Sequence, residues 1–170
     1  MDETNGCGKF RIRYSVPEDI DTLMRIYARA RKFMAAHGNP GQWTGGYPSR
    51  ELILSEIAAS RSLICEDPDG NVAGTFCFIT GDDPTYSLIE DGRWLAGGPY
   101  GTIHRLASAG LAKGVADACI SWCWEKIHNL RADTHADNTV MQAILERSGF
   151  RRCGIIYTDD GSPRIAYQKI

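Results

Sequence analysis

Residues 100–119 read YGTIHRLASAGLAKGVADAC, and this stretch decides the fold. Thr102 to Ala107 has the character of a strand, and Ala109-Gly110 marks a turn. From about Lys113 the periodicity becomes helical, with Val115, Ala118, Cys119 and Trp122 on one face. A strand that passes through a short glycine-containing loop into a helix gathers unpaired backbone N–H groups and the positive end of a helix dipole at one point. A phosphate or pyrophosphate is stabilised there. Gly110, Gly114 and Ala116 leave the backbone approachable, and Lys113 adds a positive charge. The same spacing also suits an ordinary strand–turn–helix connection, so the rest of the chain must choose between the two.

The flanking sequence predicts a single α/β domain over residues 9–170, preceded by a flexible segment 1–8. Phe10, Ile12 and Tyr14 alternate with Arg11 and Arg13, the pattern of a half-buried strand. Ser15 stands three residues before Glu18, a capping-box spacing, and Ile20, Leu23, Met24, Tyr27 and Met34 continue a helix to His37-Gly38. GNPGQWTGGYPS, residues 38–49, is irregular yet holds Gln42, Trp43 and Tyr47. Such a loop is either anchored to the core by Trp43 or serves as a lid over a pocket. Ser49 caps a second helix with Leu52, Ile53 and Ile57 facing inward.

SLICED and NVAGTFCFIT read as strands around the turn DPDG. GDDPTYSLIEDGRWLAGGP, residues 81–99, is a long irregular connection, of a kind that is usually functional or mobile. After the central helix, LRADTH is a short strand with Leu130, Ala132 and Thr134 on one face and Arg131, Asp133 and His135 on the other. Asp137 or Asn138 caps a last helix bearing Val140, Met141, Ile144 and Leu145, which Gly149 ends. A hairpin across Asp160-Gly161 closes the chain.

With 170 residues there is enough chain for one real core. A formal charge of −2 leaves no electrostatic footprint for nucleic acid or an anionic membrane. No run approaches the ~20 apolar residues of a membrane span. The polar N-terminus shows no signal peptide, and a cytoplasmic location is expected. The six cysteines, at 7, 65, 77, 119, 123 and 153, are scattered and read as small buried hydrophobes. They have neither zinc spacing nor an evident histidine partner, so no metal and no acyl-enzyme is expected.

The element order, together with residues 111–116 and 138–150, resembles the GNAT superfamily of acyl-CoA N-acyltransferases. The family's pyrophosphate loop, Q/R-x-x-G-x-G/A, is similar to Leu111-Ala112-Lys113-Gly114-Val115-Ala116, with leucine at the first position. The family pattern N-x-x-A…Y-x-K-x-G-F falls on Asn138, Met141, Leu145, Arg147, Gly149 and Phe150, with Leu145 in place of the tyrosine. IHRLASAG, DTHADN and CGIIY also look like a bacterial branch of undefined substrate. The resemblance implies a mixed, mostly antiparallel twisted sheet of about seven strands with four helices. That sheet would be splayed between strands four and five, here Thr102–Ala107 and Leu130–Thr134.

The resemblance also implies acetyl-CoA as co-substrate and transfer to a primary amine of a small molecule by direct attack. Leu111, Ala112, Lys113, Gly114, Val115 and Ala116 would hold the pyrophosphate. A backbone N–H among Leu106, Ala107 and Ser108 would take the oxyanion, and Asn138 would serve as helix cap and cofactor contact. His104 aligns with a strand-four histidine of arylalkylamine members. It is either the acceptor of the ammonium proton or a core histidine bonded to backbone. Regular alternation groups it with Thr102 and Leu106, and Ile103 with Arg105. Arg105 is expected to meet a substrate carboxylate or an internal acid such as Asp133. Asp133 and His135 form a solvated pair or a catalytic one. Tyr157 is either a stand-in acid for the missing tyrosine or a strand aromatic in the core. Trp43 and Tyr47, the 80–99 loop and the last hairpin would line the acceptor's mouth. A non-catalytic acyl-CoA-binding module, a protein lysine or N-terminal acetyltransferase and a structural dimerisation domain are the rival readings, and a homodimer is left open.

Overall fold

A computed structural model describes residues 3–4 and 9–170. Apart from the backbone of Glu3–Thr4, the segment expected to be flexible lies outside the described residues, as does Cys7. The chain runs β1 (Glu3–Thr4), β2 (Arg11–Tyr14), α1 (Ile20–Ala36), α2 (Arg50–Ala58), β3 (Ser62–Glu66), β4 (Val72–Thr80), β5 (Gly101–Ser108), α3 (Val115–Lys126), β6 (Leu130–Thr134), α4 (Thr139–Arg147), β7 (Arg151–Tyr157) and β8 (Pro163–Lys169). After β1, this is the order the periodicity predicts. The strands form one sheet in the order β1-β2-β3-β4-β5-β6-β8-β7. Among the described strands only the β5–β6 pair is parallel. The predicted strands four and five are β5 and β6, because β1 adds one to the count.

Both faces of the sheet are covered. On β3, Leu63 and Cys65 join the core under α3, while Ile64 joins the core under α1 and α2. The α3 side holds Phe76, Ile103, Trp122, Leu130 and Tyr167. The opposite side holds Leu23, Tyr27, Ile53 and Ala107, and beyond them a cluster of Tyr86, Tyr100, Ile156 and Ala166. The five described cysteines are free thiols, all buried. No helix among the described residues is long and apolar enough to cross a membrane.

Two helix starts illustrate local control. Ser49 accepts from Leu52 N at 3.1 Å and caps α2 as expected; Ile53 and Ile57 are buried, but Glu56 takes the inward place expected for Leu52. The Ser15/Glu18 box does not form. Pro17 begins a one-turn 3-10 segment, Pro17–Asp19, and this moves the cap along the chain. Asp19 accepts the Val16 N–H at 2.8 Å and a fork from Arg13, while the Ser15 hydroxyl bonds Ser62 at 2.9 Å.

The 81–99 connection is fastened to the sheet. Gln168, fully buried, accepts from Leu95 N at 2.7 Å and donates to the Ala96 carbonyl at 2.9 Å. The Arg131 guanidinium lies 4.0 Å from each of the Trp94 and Tyr100 ring centroids, a cation held between two π faces, and donates to Ala96 O at 3.0 Å. Glu90 bridges to Ile155, and Arg93 N donates to Cys153 O at 2.9 Å. A Cβ on Gly92 would overlap the Cys153 carbonyl oxygen. Gly92→Ala is therefore expected to lower stability by about 1–3 kcal/mol in urea unfolding. A wild-type midpoint would show that this segment does not lie against β7.

Candidate active site

The β5–β6 ladder has two residue pairs, Gly101↔Leu130 and Thr102↔Arg131. Past Thr102 the strands part, and the β5 backbone groups facing β6 have no strand to pair with. On its other side β5 carries a bulge. Thr75 pairs with Ala107 and Cys77 with His104, so Phe76 alone opposes both Arg105 and Leu106. Arg105 takes the left-handed conformation, φ 54°. Non-glycine residues in that region are held there by their surroundings and cluster at functional sites.

The bulge overturns the expected alternation. Leu106 packs with Ile103 on the α3 side, whereas Arg105 shares the face of His104. Nor does Arg105 meet Asp133. Its Nε donates to the Tyr47 hydroxyl at 2.8 Å, its guanidinium carbon stands 5.8 Å from the Tyr47 ring centroid, and Nη1 is 3.6 Å from the buried Glu56 carboxylate.

His104 is not a backbone-bonded core histidine. Nε2 lies 3.0 Å from Asp83 Oδ2, and the two side chains are 23 % and 18 % exposed. Asp83 caps the 3-10 turn Pro84–Tyr86. Its Oδ1 accepts from Thr85 N at 2.9 Å and Thr85 Oγ1 at 2.7 Å, and its own N–H donates to the Tyr100 hydroxyl at 2.7 Å. Burial pushes the Asp83 pKa up, but the hydrogen bonds from His104 and Thr85 outweigh it and hold the carboxyl at about 2. Tyr86, on the same turn, donates to Asp133 Oδ1 at 2.6 Å. Its burial and that carboxylate keep the phenol protonated well above its ordinary range. Asp133 and His135 therefore do not pair; His135 Nδ1 accepts from Asp137 N at 3.0 Å. Asp83 was missed from sequence, although an aspartate directly before Pro84 is itself a cap signal.

The loop before α3 has the predicted form. Gly114, at φ 88°, is the residue before the first turn. Ala118 makes the first helical bond to Gly114 O at 3.0 Å, which leaves the N–H groups of Val115, Ala116 and Asp117 without partners inside the helix. Leu111 is 64 % exposed and Lys113 is exposed; Ala112 packs on the core. Arg29, on α1, donates to Ser108 O at 3.2 Å, and its guanidinium fills the place where a Cβ on Gly110 would sit. It brings to the loop a positive charge that Leu111 does not supply. No local pattern marks it, since it reaches the loop from 79 residues away.

The 38–49 loop links the two parted strands. Tyr47 bonds Arg105 of β5. Gln42 Oε1 accepts from Asn39 at 2.9 Å, from Asn138 Nδ2 at 2.9 Å and from Thr134 at the end of β6 at 3.3 Å. Asn138 caps α4 through Met141 N at 3.0 Å. Trp43 packs against Tyr27 at 5.8 Å and Tyr47 at 6.1 Å, so it does anchor the loop to the core. Tyr157 makes no hydrogen bond to His104 or Asp83. It is 39 % exposed, donates to Glu90 at 2.9 Å, and lines an open depression of about 200 Å³ with Pro84, Thr85, Leu88 and Asp159. Glu90 raises its pKa, which makes it a weaker proton donor.

No protein-family model and no curated protein matches the sequence. Solved structures do. The chain is similar to a GNAT-family acetyltransferase from Streptococcus agalactiae 2603, with 33% identity over 95% of both chains and a TM-score of 0.86. It also resembles a GNAT-family acetyltransferase from Listeria monocytogenes 4b F2365, with 22% identity over 99% of both chains and a TM-score of 0.70. Against a ribosomal-protein-alanine N-acetyltransferase from Brucella melitensis the identity is 18% over 94% of this chain and 98% of that one, with a TM-score of 0.61. The weaker two establish the fold alone. With the parted parallel strands and the glycine loop before α3 in place, the first likeness is decisive: this chain belongs to the GNAT family of acetyltransferases.

Proposed function

We propose that the protein is an acetyl-CoA-dependent N-acetyltransferase acting on a primary amine of a small molecule by direct attack. The observation that carries this reading is a partly exposed imidazole, His104, on β5 beside the place where β5 and β6 part, bonded to a carboxylate and, among the described residues, to no backbone group.

The residues present fit the coenzyme. The parted strands leave unpaired β5 backbone for a pantetheine arm, and the α3 start offers free N–H groups with Arg29 and Lys113 close by. Leu111 to Ala116 would hold the diphosphate and Asn138 would steady the arm. When bound, acetyl-CoA supplies an acetyl thioester activated toward an amine. His104 removes the ammonium proton from the acceptor, whose free amine is the nucleophile. Backbone N–H groups of Leu106, Ala107 or Ser108, aimed by the bulge, donate to the carbonyl oxygen as it gains charge. One such preorganised donor is typically worth ~3 kcal/mol. Tyr157 is not required, because a thiol with a pKa of about 8.5 leaves readily as thiolate.

The 38–49 loop, tied to both strands and carrying Trp43 and Tyr47, favours a small acceptor over a peptide laid in an open groove. Leu111 and the buried Leu145, at positions where the family pattern has polar groups, are the features that favour a non-catalytic acyl-CoA-binding module. Free-thiol release from acetyl-CoA with a panel of amino acids, polyamines, arylalkylamines and short peptides separates these. Turnover with a small amine is expected. Coenzyme binding without turnover, or turnover with peptides only, would overturn the proposal.

Two substitutions test the parts. His104→Ala should lower kcat by roughly 10²-fold or more with acetyl-CoA affinity nearly intact. Wild-type rates across the pH range would remove His104 from the chemistry. Gly114→Val forces a β-branched residue to φ 88° at the diphosphate loop and should abolish acetyl-CoA binding in calorimetry. Unchanged affinity in a folded variant would place the coenzyme elsewhere.

A further inference from the structure

The His104–Asp83 contact fixes more than a distance. Asp83 Oδ1 is engaged by both Thr85 donors, and Oδ2 is the oxygen that meets His104 Nε2 at 3.0 Å. An ionised carboxylate can only accept, so Nε2 carries the hydrogen. The lone pair of the neutral ring then sits on Nδ1, which has no hydrogen-bond partner among the described residues, on a side chain that is 23 % exposed.

The carboxylate is itself held from three directions. It caps Pro84–Tyr86, its backbone N–H is tied to Tyr100, and the turn is pinned to β6 by Tyr86 and Asp133. Among the described residues no other charged group bonds the ring. Arg105, next in the chain, is turned onto Tyr47 and Glu56; Cys77, opposite on β4, is a buried thiol; Asp133 is reached only through the Tyr86 hydroxyl, and the Tyr86 ring lies 6.3 Å from the imidazole.

We propose that Asp83 is a positioning residue: it holds His104 as the Nε2–H tautomer and so aims the Nδ1 lone pair at the acceptor amine. This rests on the acetyl-transfer reading above. In the step, an acceptor N–H bond breaks and the proton moves to Nδ1. The resulting imidazolium is stabilised by the Asp83 carboxylate, which stays ionised, and Nδ1 later releases the proton to water. The carboxylate thus orients the base without taking the proton itself.

The test begins without an acceptor. Long-range 1H–15N correlation spectra of histidine-labelled protein should show neutral His104 with its hydrogen on Nε2, and a predominant Nδ1–H tautomer would overturn the proposal. Asn caps as well as Asp, so Asp83→Asn should fold. Its amide can donate as well as accept, so the Nδ1–H form should grow. For the fastest amine of the panel, kcat/KM should fall about tenfold to a hundredfold, less than the ~10²–10⁴ carried by a general base, with acetyl-CoA affinity unchanged. Added to His104→Ala, the same substitution should cost nothing further. An equal loss in both backgrounds, or a wild-type kcat/KM and tautomer in Asp83→Asn, would reject the positioning role. If His104→Ala itself turns over normally, the acetyl-transfer role of His104 falls instead, whatever the tautomer.

Discussion

A parallel ladder that lasts only two residue pairs is the constraint on which the rest of the molecule depends. Parallel strands need a crossover, and α3 supplies it; its first residues must leave β5 through a glycine loop and return to β6 beside Gly101 and Thr102. The closed end of the pair is then secured by groups from far along the chain. Arg131 between Trp94 and Tyr100, and Gln168 with its bonds to Ala96 and Asn129, fasten β6, β8 and the long connection into one block. With that end fixed, the open end can stay open without unravelling, and backbone that would pair in an ordinary sheet is left facing a gap.

The second constraint is the extra residue in β5. One more residue on β5 than on β4 turns Arg105 onto the side already occupied by His104. Glu56 from α2 and Tyr47 from the first loop then hold Arg105 in a conformation that an unsupported arginine would leave. Neighbouring residues of one strand thereby address two different loops, His104 the 81–99 connection and Arg105 the 38–49 loop. The geometry of the proposed site is thus set by a local irregularity in β5, supported by ion pairing from α2.

Most of the architecture was legible because it rests on short-range patterns. The change from period two to helical period after Ser108, the caps at Ser49 and Asn138, and the alternation along Leu130–Thr134 are all properties of a few adjacent residues. What escaped depends on pairing between distant segments. A bulge exists only relative to its partner strand, so strict alternation misassigned Arg105 and Leu106. The capping box at Ser15 lost to Asp19 because Pro17 displaced the first turn and Arg13 offered Asp19 a second partner. Asp83 meets His104 across 21 residues, Glu90 meets Tyr157 across 67, and Gln42 meets Asn138 across 96. No periodicity encodes such contacts, and the role of the 81–99 connection as a fastened wall could not be told from that of a mobile loop.

The bridge from Glu90 to Ile155 and the bond from Arg93 to Cys153 have a consequence beyond the site. β7 is the last strand of the sheet on its side, and an uncovered border there would be a template for strand addition by another molecule. The connection that carries Asp83 lies along that border and uses hydrogen-bonding groups a foreign strand would need. Lengthening the sheet at this margin would require peeling the connection away, and with it the carboxylate that steadies the imidazole. The same ribbon of chain therefore covers the border strand and holds Asp83 against His104, and neither contact can be given up separately.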